Sequence, residues 1–165
     1  MLKLYWLYAK GRGRDMSENK YDSLKLENQL CFPLYASARE TIKLYSSYLT
    51  ALDLTYTQYI ALIVLWEHKK LSVKELGKKL FLDSGTLTPV LKSLEAKGFV
   101  RRCRSKLDER VLIVEITEKG EQLKDKALHI PECMASRVTL NAEESLQLYR
   151  LLYKLLGVPE DEIAH

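Results

Sequence analysis

Cys31 is the first residue whose type and setting suggest chemistry. It lies in ENQLCFPLYASARETIKLY, residues 27–45, where apolar and aromatic residues recur at the three- and four-residue spacings of a helix. Proline is tolerated in the first turn of a helix but is costly further in, so Pro33 predicts that a helix starts, or restarts, around Phe32. Cys31 is therefore expected at a helix N-terminus, where the partial positive charge of unpaired backbone amides favours a thiolate.

Two interpretations of Cys31 stay open on the residues alone. A thiolate attacks the oxygen of a peroxide and becomes a sulfenic acid, which a second thiol can capture as a disulfide. A lone cysteine on a buried helix face is otherwise a small hydrophobic residue without a chemical role. The choice between them depends on what the rest of the chain is built to do.

The other residues that carry chemistry are scattered. Cys103 and Cys133 form no Cys-x-x-Cys pair, and His68, His129 and His165 share no helix face with carboxylates. The sequence therefore predicts no metal site, no cofactor and no catalytic group, and the protein is not expected to be an enzyme. The odd number of cysteines and the lack of a recognisable signal peptide favour a cytoplasmic protein.

The chain of 165 residues is long enough for one domain whose core needs neither disulfides nor metal. Its longest apolar run, YIALIVLWE, is well short of the roughly 20 residues that span a bilayer, so no membrane partner is predicted. Residues 1–16 are basic and aromatic, unlike the polar residues after them, and are interpreted as a disordered extension or as the result of a start codon assigned too far upstream. Residues 17–165 are expected to form a single domain.

Helix signals divide this domain. Capping boxes begin at Thr55 and Ser72, Asn141 is an N-cap followed by acidic residues, and Gly98 and Gly157 are expected to end helices. Together with the apolar periodicity, these signals predict helices at 24–52, 55–68, 72–80, 84–97, 117–136 and 141–156.

After Gly98 the apolar pattern changes from helical to alternating, which predicts a β-hairpin with strands at 99–104 and 111–117. From Lys97 to Lys106 there is no acidic residue. The basic residues of this stretch are Lys97, Arg101, Arg102, Arg104 and Lys106. Taken alone, the stretch could be a solvated edge hairpin whose charges guard against aggregation.

The segment before the hairpin favours a different interpretation. Residues 72–97 are predicted to form two helices joined by a tight turn at Leu82 and Asp83. The second helix has one apolar stripe, Leu87, Val90, Leu91 and Leu94, and one face of small polar residues with a single cation, Ser84, Gly85, Thr86, Thr88 and Lys92. Such a face can enter the major groove of DNA. Residues 72–117 are therefore predicted to be a winged helix-turn-helix; a helical hairpin inside a core would leave the polar face and the adjacent charge unexplained.

The segment from KELGKKLFLDSGTLTP to ERVLIVEITEKG resembles the DNA-binding lobe of MarR-family regulators, of which the DER of the wing, Asp108 to Arg110, is typical. LFLDSGTLTP together with ENQLCF is similar to the organic hydroperoxide sensors of that family. The resemblance runs from about residue 17 to 135. It implies a mainly α-helical homodimer with a small β-hairpin wing, in which residues 24–52 and 117–156 form the dimerisation region.

The resemblance also implies roles for individual residues. Cys31 would be the redox-sensing thiol, and Tyr45 and Tyr56 would hydrogen-bond it and line an apolar pocket. Cys133 lies where two-cysteine relatives carry a resolving thiol, so a disulfide between Cys31 and Cys133 of the partner subunit is expected; the alternative is that Cys133 is inert. Cys103 has no counterpart and is interpreted as structural.

DNA contacts are expected from both the helix and the wing. Arg110, near the hairpin tip, is predicted to enter a narrow A·T-rich minor groove, with Asp108 orienting a basic partner. Arg101, Arg102, Arg104 and Lys106 are predicted phosphate contacts. Because one small module buries too little surface for tight binding, a homodimer reading an A·T-rich inverted repeat in double-stranded DNA is expected. Its seam is predicted on a terminal apolar stripe, Leu146, Tyr149, Leu152, Tyr153 and Leu156.

These inferences predict a repressor that releases its operator when an organic hydroperoxide oxidises Cys31. Two rival functions remain. A conventional MarR-type repressor would bind a phenolic effector without covalent chemistry, and a thiol peroxidase would turn over peroxide, although no recycling motif for the latter is visible.

Overall fold

In this computed structural model, the described part of the chain is residues 21–162. Its helices are α1 (Cys31–Ala51), α2 (Tyr56–His68), α3 (Val73–Leu80), α4 (Ser84–Ala96), α5 (Glu118–Ala127), α6 (Ile130–Ala135) and α7 (Ala142–Leu155). Its strands are β1 (Lys70–Ser72), β2 (Val100–Arg104) and β3 (Leu112–Ile116). The chain forms two compact units, the first ending at Leu128 and the second beginning at His129. The predicted extension, residues 1–16, lies outside the described residues.

Helix starts follow the capping signals of the sequence. The Thr55 hydroxyl accepts from the Gln58 amide at 3.3 Å while the Gln58 side chain accepts from the Thr55 amide at 3.0 Å, and Ser72 forms the same reciprocal pair with Glu75. Asn141 also forms a full capping box. Each satisfies backbone donors that the first helical turn leaves unpaired. The capping predictions are confirmed.

Two predicted helices have wrong bounds. Residues 22–28 form two short 3-10 turns instead of the start of a helix, and α1 begins only at Cys31. The predicted helix 117–136 is broken into α5 and α6, with Pro131 in the first turn of α6. Pro131 has no amide hydrogen to donate to Ala127, so a continuous helix would lose a hydrogen bond there.

The sheet is antiparallel in the order β1-β3-β2. The predicted hairpin is confirmed as β2 and β3, and Arg102 lies opposite Val114 in its register. Strand β1 was not predicted, because three residues are too few to show an alternating pattern. It pairs Leu71 with Val114 and adds a third strand to the base of the wing.

The core of the first unit lies where α2, α3 and α4 meet the sheet. Its fully buried side chains include Leu62, Leu65, Leu76, Leu87, Leu91, Leu94 and Val114. The predicted apolar stripe of α4 faces this core, and Val90 is half-buried at its margin. Trp66 donates its indole N–H to the Gly120 carbonyl at 2.8 Å, which ties α2 to α5. A Cβ atom on Gly120 would lie 2.2 Å from the Phe99 carbonyl oxygen, so this approach requires glycine.

The longest helices leave apolar residues exposed. In α1 only Leu49 is buried, and in α7 no residue is. In the second unit, Ile130 and Met134 of α6 are buried. Within residues 21–162 no single helix is both long and apolar enough to cross a membrane; α1 and α2 meet that criterion only together, across a bend of 74°.

Candidate nucleic-acid interface and thiol site

The N-terminal half of α4 presents the polar face expected of a recognition helix. Asp83 caps it: its carboxylate accepts from the Thr86 amide at 2.9 Å and from the Thr86 hydroxyl at 3.0 Å, and these bonds hold the pKa of Asp83 below its usual value. Ser84, Gly85, Thr86 and Lys92 are exposed and Thr88 is half-buried. The Thr88 hydroxyl donates to the Ser84 carbonyl at 2.6 Å. Both threonine hydroxyls are therefore used as donors to the cap or to the helix itself, and their oxygens can still accept hydrogen bonds.

The basic side chains of the wing differ in whether they face solvent or the body of the first unit. Arg101 lies on the outer face of the sheet, where it pairs with Glu115 at 2.8 Å, and Arg104 donates to the Glu109 carbonyl at 2.8 Å. Arg102 points inward and binds Glu95. Its predicted phosphate contact is therefore not supported by its placement, whereas Arg101, Arg104 and Lys106 stay near solvent.

Lys97 also turns away from the wing surface. Its ammonium contacts the carboxylate of Asp53 at 3.1 Å and the carbonyl of the same residue, and it approaches Gln58. It thus joins the end of α4 to the turn between α1 and α2. Of the basic residues from 97 to 106, Lys97 and Arg102 therefore make contacts within the fold and do not point outward from the wing.

The wing tip is closed by its own hydrogen bonds. The Ser105 amide donates to the Val111 carbonyl at 2.9 Å, and the Asp108 carboxylate accepts from the Arg110 amide at 2.9 Å. Asp108 was expected to orient a basic side chain; it instead caps a backbone amide and so shapes the turn. Within residues 21–162, no carboxylate pairs with the guanidinium of Arg110 or the ammonium of Lys106, and both residues are exposed.

Cys31 is the first residue of α1 and is exposed, which confirms the helix start predicted from Pro33. Fewer unpaired backbone amides than expected lie at this helix start. The Phe32 amide donates to the Gln29 carbonyl at 3.2 Å, and Pro33 has no amide hydrogen. Tyr35, one helical turn further on, is exposed on the same face. The four-residue spacing of Cys31 and Tyr35 in the sequence is the signal that places them on one helix face.

The two predicted pocket tyrosines lie together. The ring centroids of Tyr45 and Tyr56 are 5.0 Å apart, and Tyr59 lies 5.9 Å from Tyr45. Burial raises the pKa of all three phenols, so each stays a neutral hydrogen-bond donor at neutral pH. Tyr45 lies fourteen positions after Cys31 in α1, roughly 21 Å along the helix axis. The fold therefore does not bring these tyrosines to Cys31 of the same chain.

The other two thiols lie elsewhere. Cys133 is half-buried on α6, in the second unit. Cys103 is half-buried on β2 opposite Ile113, in an open groove of about 700 Å³ on the outer face of the wing. Among residues 21–162 no group of three or more His, Cys, Asp or Glu side chains is placed to hold a metal ion.

Sequence reasoning missed Glu95, the inward partner of Arg102. Nothing in the sequence distinguishes it from a solvated residue at the end of α4, because its partner lies seven positions on, across the turn at Gly98. The contact exists only because β2 folds back beside α4.

Comparisons with known proteins agree with this architecture. Residues 43–127 match the family model of the SarA/Rot transcriptional regulators. The chain is 51% identical over 139 residues to the organic hydroperoxide resistance transcriptional regulator of Bacillus subtilis, covering 84% of this chain and 95% of that protein.

Two solved structures extend the comparison. Reduced AbfR bound to DNA is 34% identical, with a TM-score of 0.70 over 84% of this chain and 97% of that one. A mutant MarR from E. coli complexed with operator DNA is 26% identical, with a TM-score of 0.73 over 84% of this chain and 99% of that one.

Proposed function

The chain belongs to the MarR family of winged helix-turn-helix transcriptional regulators, among the relatives of the organic hydroperoxide resistance regulators, and we propose that it is a repressor that leaves its operator when an organic hydroperoxide oxidises Cys31. The relatives it matches are transcriptional regulators rather than enzymes. The observation that carries the proposal is the exposed thiol of Cys31 at the first residue of α1.

The proposed DNA contacts follow from exposure. The start of α4 enters the major groove, where Ser84, Gly85 and Thr86 meet base edges or backbone. Arg110 at the wing tip enters an A·T-rich minor groove, which attracts unpaired arginine. Arg101, Arg104 and Lys106 contact phosphates, and Lys92 reaches the backbone about two turns beyond the helix start.

The proposed regulator is a homodimer that reads an inverted repeat. Support comes from the apolar side chains that α1 and α7 leave exposed, including Ile42 and Leu44 in the former and Leu151 and Leu152 in the latter. Exposed apolar faces of this length are typical of association surfaces. A two-fold dimer also places two recognition helices at successive half-sites, about one helical turn of DNA apart.

Oxidation begins at the sulfur of Cys31. The thiolate attacks the terminal oxygen of the hydroperoxide, the O–O bond breaks, the leaving alkoxide takes a proton from solvent to become the alcohol, and Cys31 becomes a sulfenic acid. A second thiol then displaces water from that sulfur and forms a disulfide. We assign this step to Cys133 of the partner subunit; a small intracellular thiol is the alternative. Bringing the two sulfurs to about 2 Å requires the helices to shift, and that shift respaces the recognition helices.

Tyr45 and Tyr56 are proposed to act across the dimer. Because roughly 21 Å of α1 separates Tyr45 from Cys31 of its own chain, the phenols that reach a given Cys31 come from the partner subunit. Their neutral hydroxyls can donate to a thiolate or sulfenate, and their rings provide an apolar wall for an organic peroxide.

The test uses a duplex selected from a random pool by the reduced protein. Fluorescence anisotropy should show tight binding by wild type and Cys31→Ser, and release of wild type alone after cumene hydroperoxide. On non-reducing gels the oxidised wild type should run as a covalent dimer, and Cys133→Ser as a monomer.

Two outcomes contradict the proposal. If peroxide releases the Cys31→Ser variant from the duplex, another residue senses the peroxide. If a phenolic compound releases the same variant, the mechanism is the non-covalent one. A covalent dimer of Cys133→Ser would remove Cys133 from the pathway but leave Cys31 in it.

A further inference from the structure

The end of α4 is tied to the middle of β2 by one dense polar contact. The Glu95 carboxylate accepts three hydrogen bonds from Arg102: from its amide at 2.8 Å, from Nε at 2.9 Å and from Nη2 at 2.6 Å. One carboxylate thus holds both the backbone and the side chain of a strand residue. These bonds keep the pKa of Glu95 below its usual value, so its charge persists at neutral pH.

Strand alternation separates this contact from the DNA-facing cations. Arg101 and Arg102 are adjacent, so their side chains leave opposite faces of the sheet. The Arg101 side chain is 70% exposed and the Arg102 side chain 19%. Arg102 lies opposite Val114, a fully buried residue, and so faces the body of the first unit.

The wing has two other attachments to the rest of the first unit, and one of them is β1, which pairs with β3 as far out as Ile113. The base of the wing is held where the Thr117 hydroxyl donates to the Gly98 and Phe99 carbonyls, at 2.7 and 3.1 Å. Beyond Arg102, the hydrogen bonds and ion pairs of residues 104–112 stay within the hairpin in the described part of the chain. Among those residues, the Glu95–Arg102 contact is therefore the outermost polar tie between the wing and α4.

We propose that Glu95 and Arg102 are positioning residues for DNA binding, which hold the wing at the angle to α4 that lets the helix and the wing tip enter adjacent grooves together. This rests on the proposed operator binding through α4 and Arg110, and not on the peroxide chemistry. Free of this tie, the hairpin would pivot about its base, and ordering it on DNA would cost affinity.

The sign of one charge substitution separates this role from a phosphate contact. If Arg102 bound a phosphate, Glu95 would be a competing anion beside it, and Glu95→Gln would strengthen binding. If the pair positions the wing, the same substitution weakens binding, because an amide cannot accept on both sides of its head group. Glu115→Gln is the matched control: it removes a carboxylate from the outer face, beside Arg101, and should leave affinity unchanged or higher.

The experiment titrates reduced wild type and variants against one selected duplex over a range of salt concentrations. Glu95→Gln and Arg102→Ala should each weaken binding roughly tenfold, and the double variant no more than either, as expected of two residues in one contact. The slope of log affinity against log salt should stay at the wild-type value. In hydroxyl-radical footprints, protection by the wing should fade while protection by α4 persists.

A conservative variant of Arg102 separates loss of the contact from loss of the fold. Arg102→Lys keeps the charge but cannot make the forked contact, so it should also weaken binding at unchanged slope. Thermal unfolding of each variant establishes that the fold is retained. The exchange of both residues, Glu95→Arg with Arg102→Glu, keeps the net charge and should recover part of the affinity.

Either of two results overturns the proposal: tighter or equal binding by Glu95→Gln, or a salt slope reduced by about 1 in Arg102→Ala, which marks a lost phosphate contact. A wild type that binds no selected duplex overturns the proposed function instead. Release of Cys31→Ser by peroxide bears only on the sensor, since all titrations use reduced protein.

Discussion

Helix α2 and the two long helices, α1 and α7, differ in where their apolar residues go. Six of the thirteen residues of α2 are buried, against one of twenty-one in α1 and none of fourteen in α7. The region from α2 to α5 closes its own core within the chain. Both α1 and α7 leave large apolar side chains exposed, among them Ile42, Leu151 and Leu152, and exposed apolar faces are typical of association surfaces. The helices around the proposed recognition helix α4 thus bury their apolar residues within the chain, whereas we expect α1 and α7 to bury theirs in the proposed dimer.

The largest effect is expected in the closed core. Leu91 of α4 is 0% exposed. Leu91→Ala should lower the free energy of unfolding by about 2–5 kcal/mol, through lost burial and the cavity left behind. Urea denaturation followed by circular dichroism measures it. Leu107→Ala, at a wing-tip residue 99% exposed, is the control and should change stability by less than about 0.5 kcal/mol. If Leu91→Ala and Leu107→Ala lowered the free energy of unfolding by similar amounts, Leu91 would not lie in the core as the structure shows.

The next prediction concerns the association surface. Leu152→Asp on α7 should raise the dimer dissociation constant roughly a hundredfold, because an unpaired carboxylate in an apolar interface is costly. Analytical ultracentrifugation measures the dissociation constant of the dimer. The affinity for the operator should fall as the dimer weakens. Arg150→Asp places the same side chain among the polar residues of α7, away from the apolar stripe, and should leave the dimer intact. A dimeric Leu152→Asp variant would contradict the assignment of this stripe to the dimer seam.

A smaller effect is expected at the wing tip. Arg110→Ala should weaken operator binding by about 1–3 kcal/mol and leave the unfolding transition unchanged, because within residues 21–162 no carboxylate pairs with its guanidinium. Anisotropy titration at fixed salt and thermal melting measure the two quantities. Arg137→Ala, an exposed arginine outside the wing, serves as control. Equal affinities of wild type and Arg110→Ala would remove the tip from the interface.

The smallest effect is a pH dependence of the tyrosine cluster. Burial raises the pKa of Tyr56 above its usual value of about 10, so its contribution to stability is complete below that pH and is lost as pH rises through the higher folded pKa. Tyr56→Phe should flatten this alkaline loss. In α7 a hydrogen bond with Tyr149 is the main cause of the raised pKa of Tyr153, and Tyr153→Phe should leave the core's pH profile unchanged. The test is to measure the free energy of unfolding of each variant between about pH 9 and 11. If Tyr56→Phe has the same pH dependence of stability as wild type, the result would argue against the burial of Tyr56.

Much of the fold was predictable because its signals are local. The caps at Thr55, Ser72 and Asn141 act within one helical turn, and the alternation of residues 111–117 belongs to one strand. Pro33 predicted that a helix starts, or restarts, around Phe32, and α1 begins one residue earlier, at Cys31. The apolar pattern did not predict the breaks at residues 28–30 and at Leu128, because the helical periodicity continues across both, although Pro131 disfavours a helical conformation in the residue before it.

The sequence by itself determined the elements, the polar face of α4, the basic composition of the wing and the place of Cys31 in the first turn of a helix, because each depends on neighbours within a few residues. Only the tertiary structure decided which wing cations face outward. Arg101 and Arg102 are alike in sequence, yet the pleat of β2 turns one to solvent and the other to Glu95. It also decided that Tyr45 and Tyr56 meet each other and not Cys31 of their own chain, because a rigid helix keeps residues fourteen positions apart at a distance of roughly 21 Å.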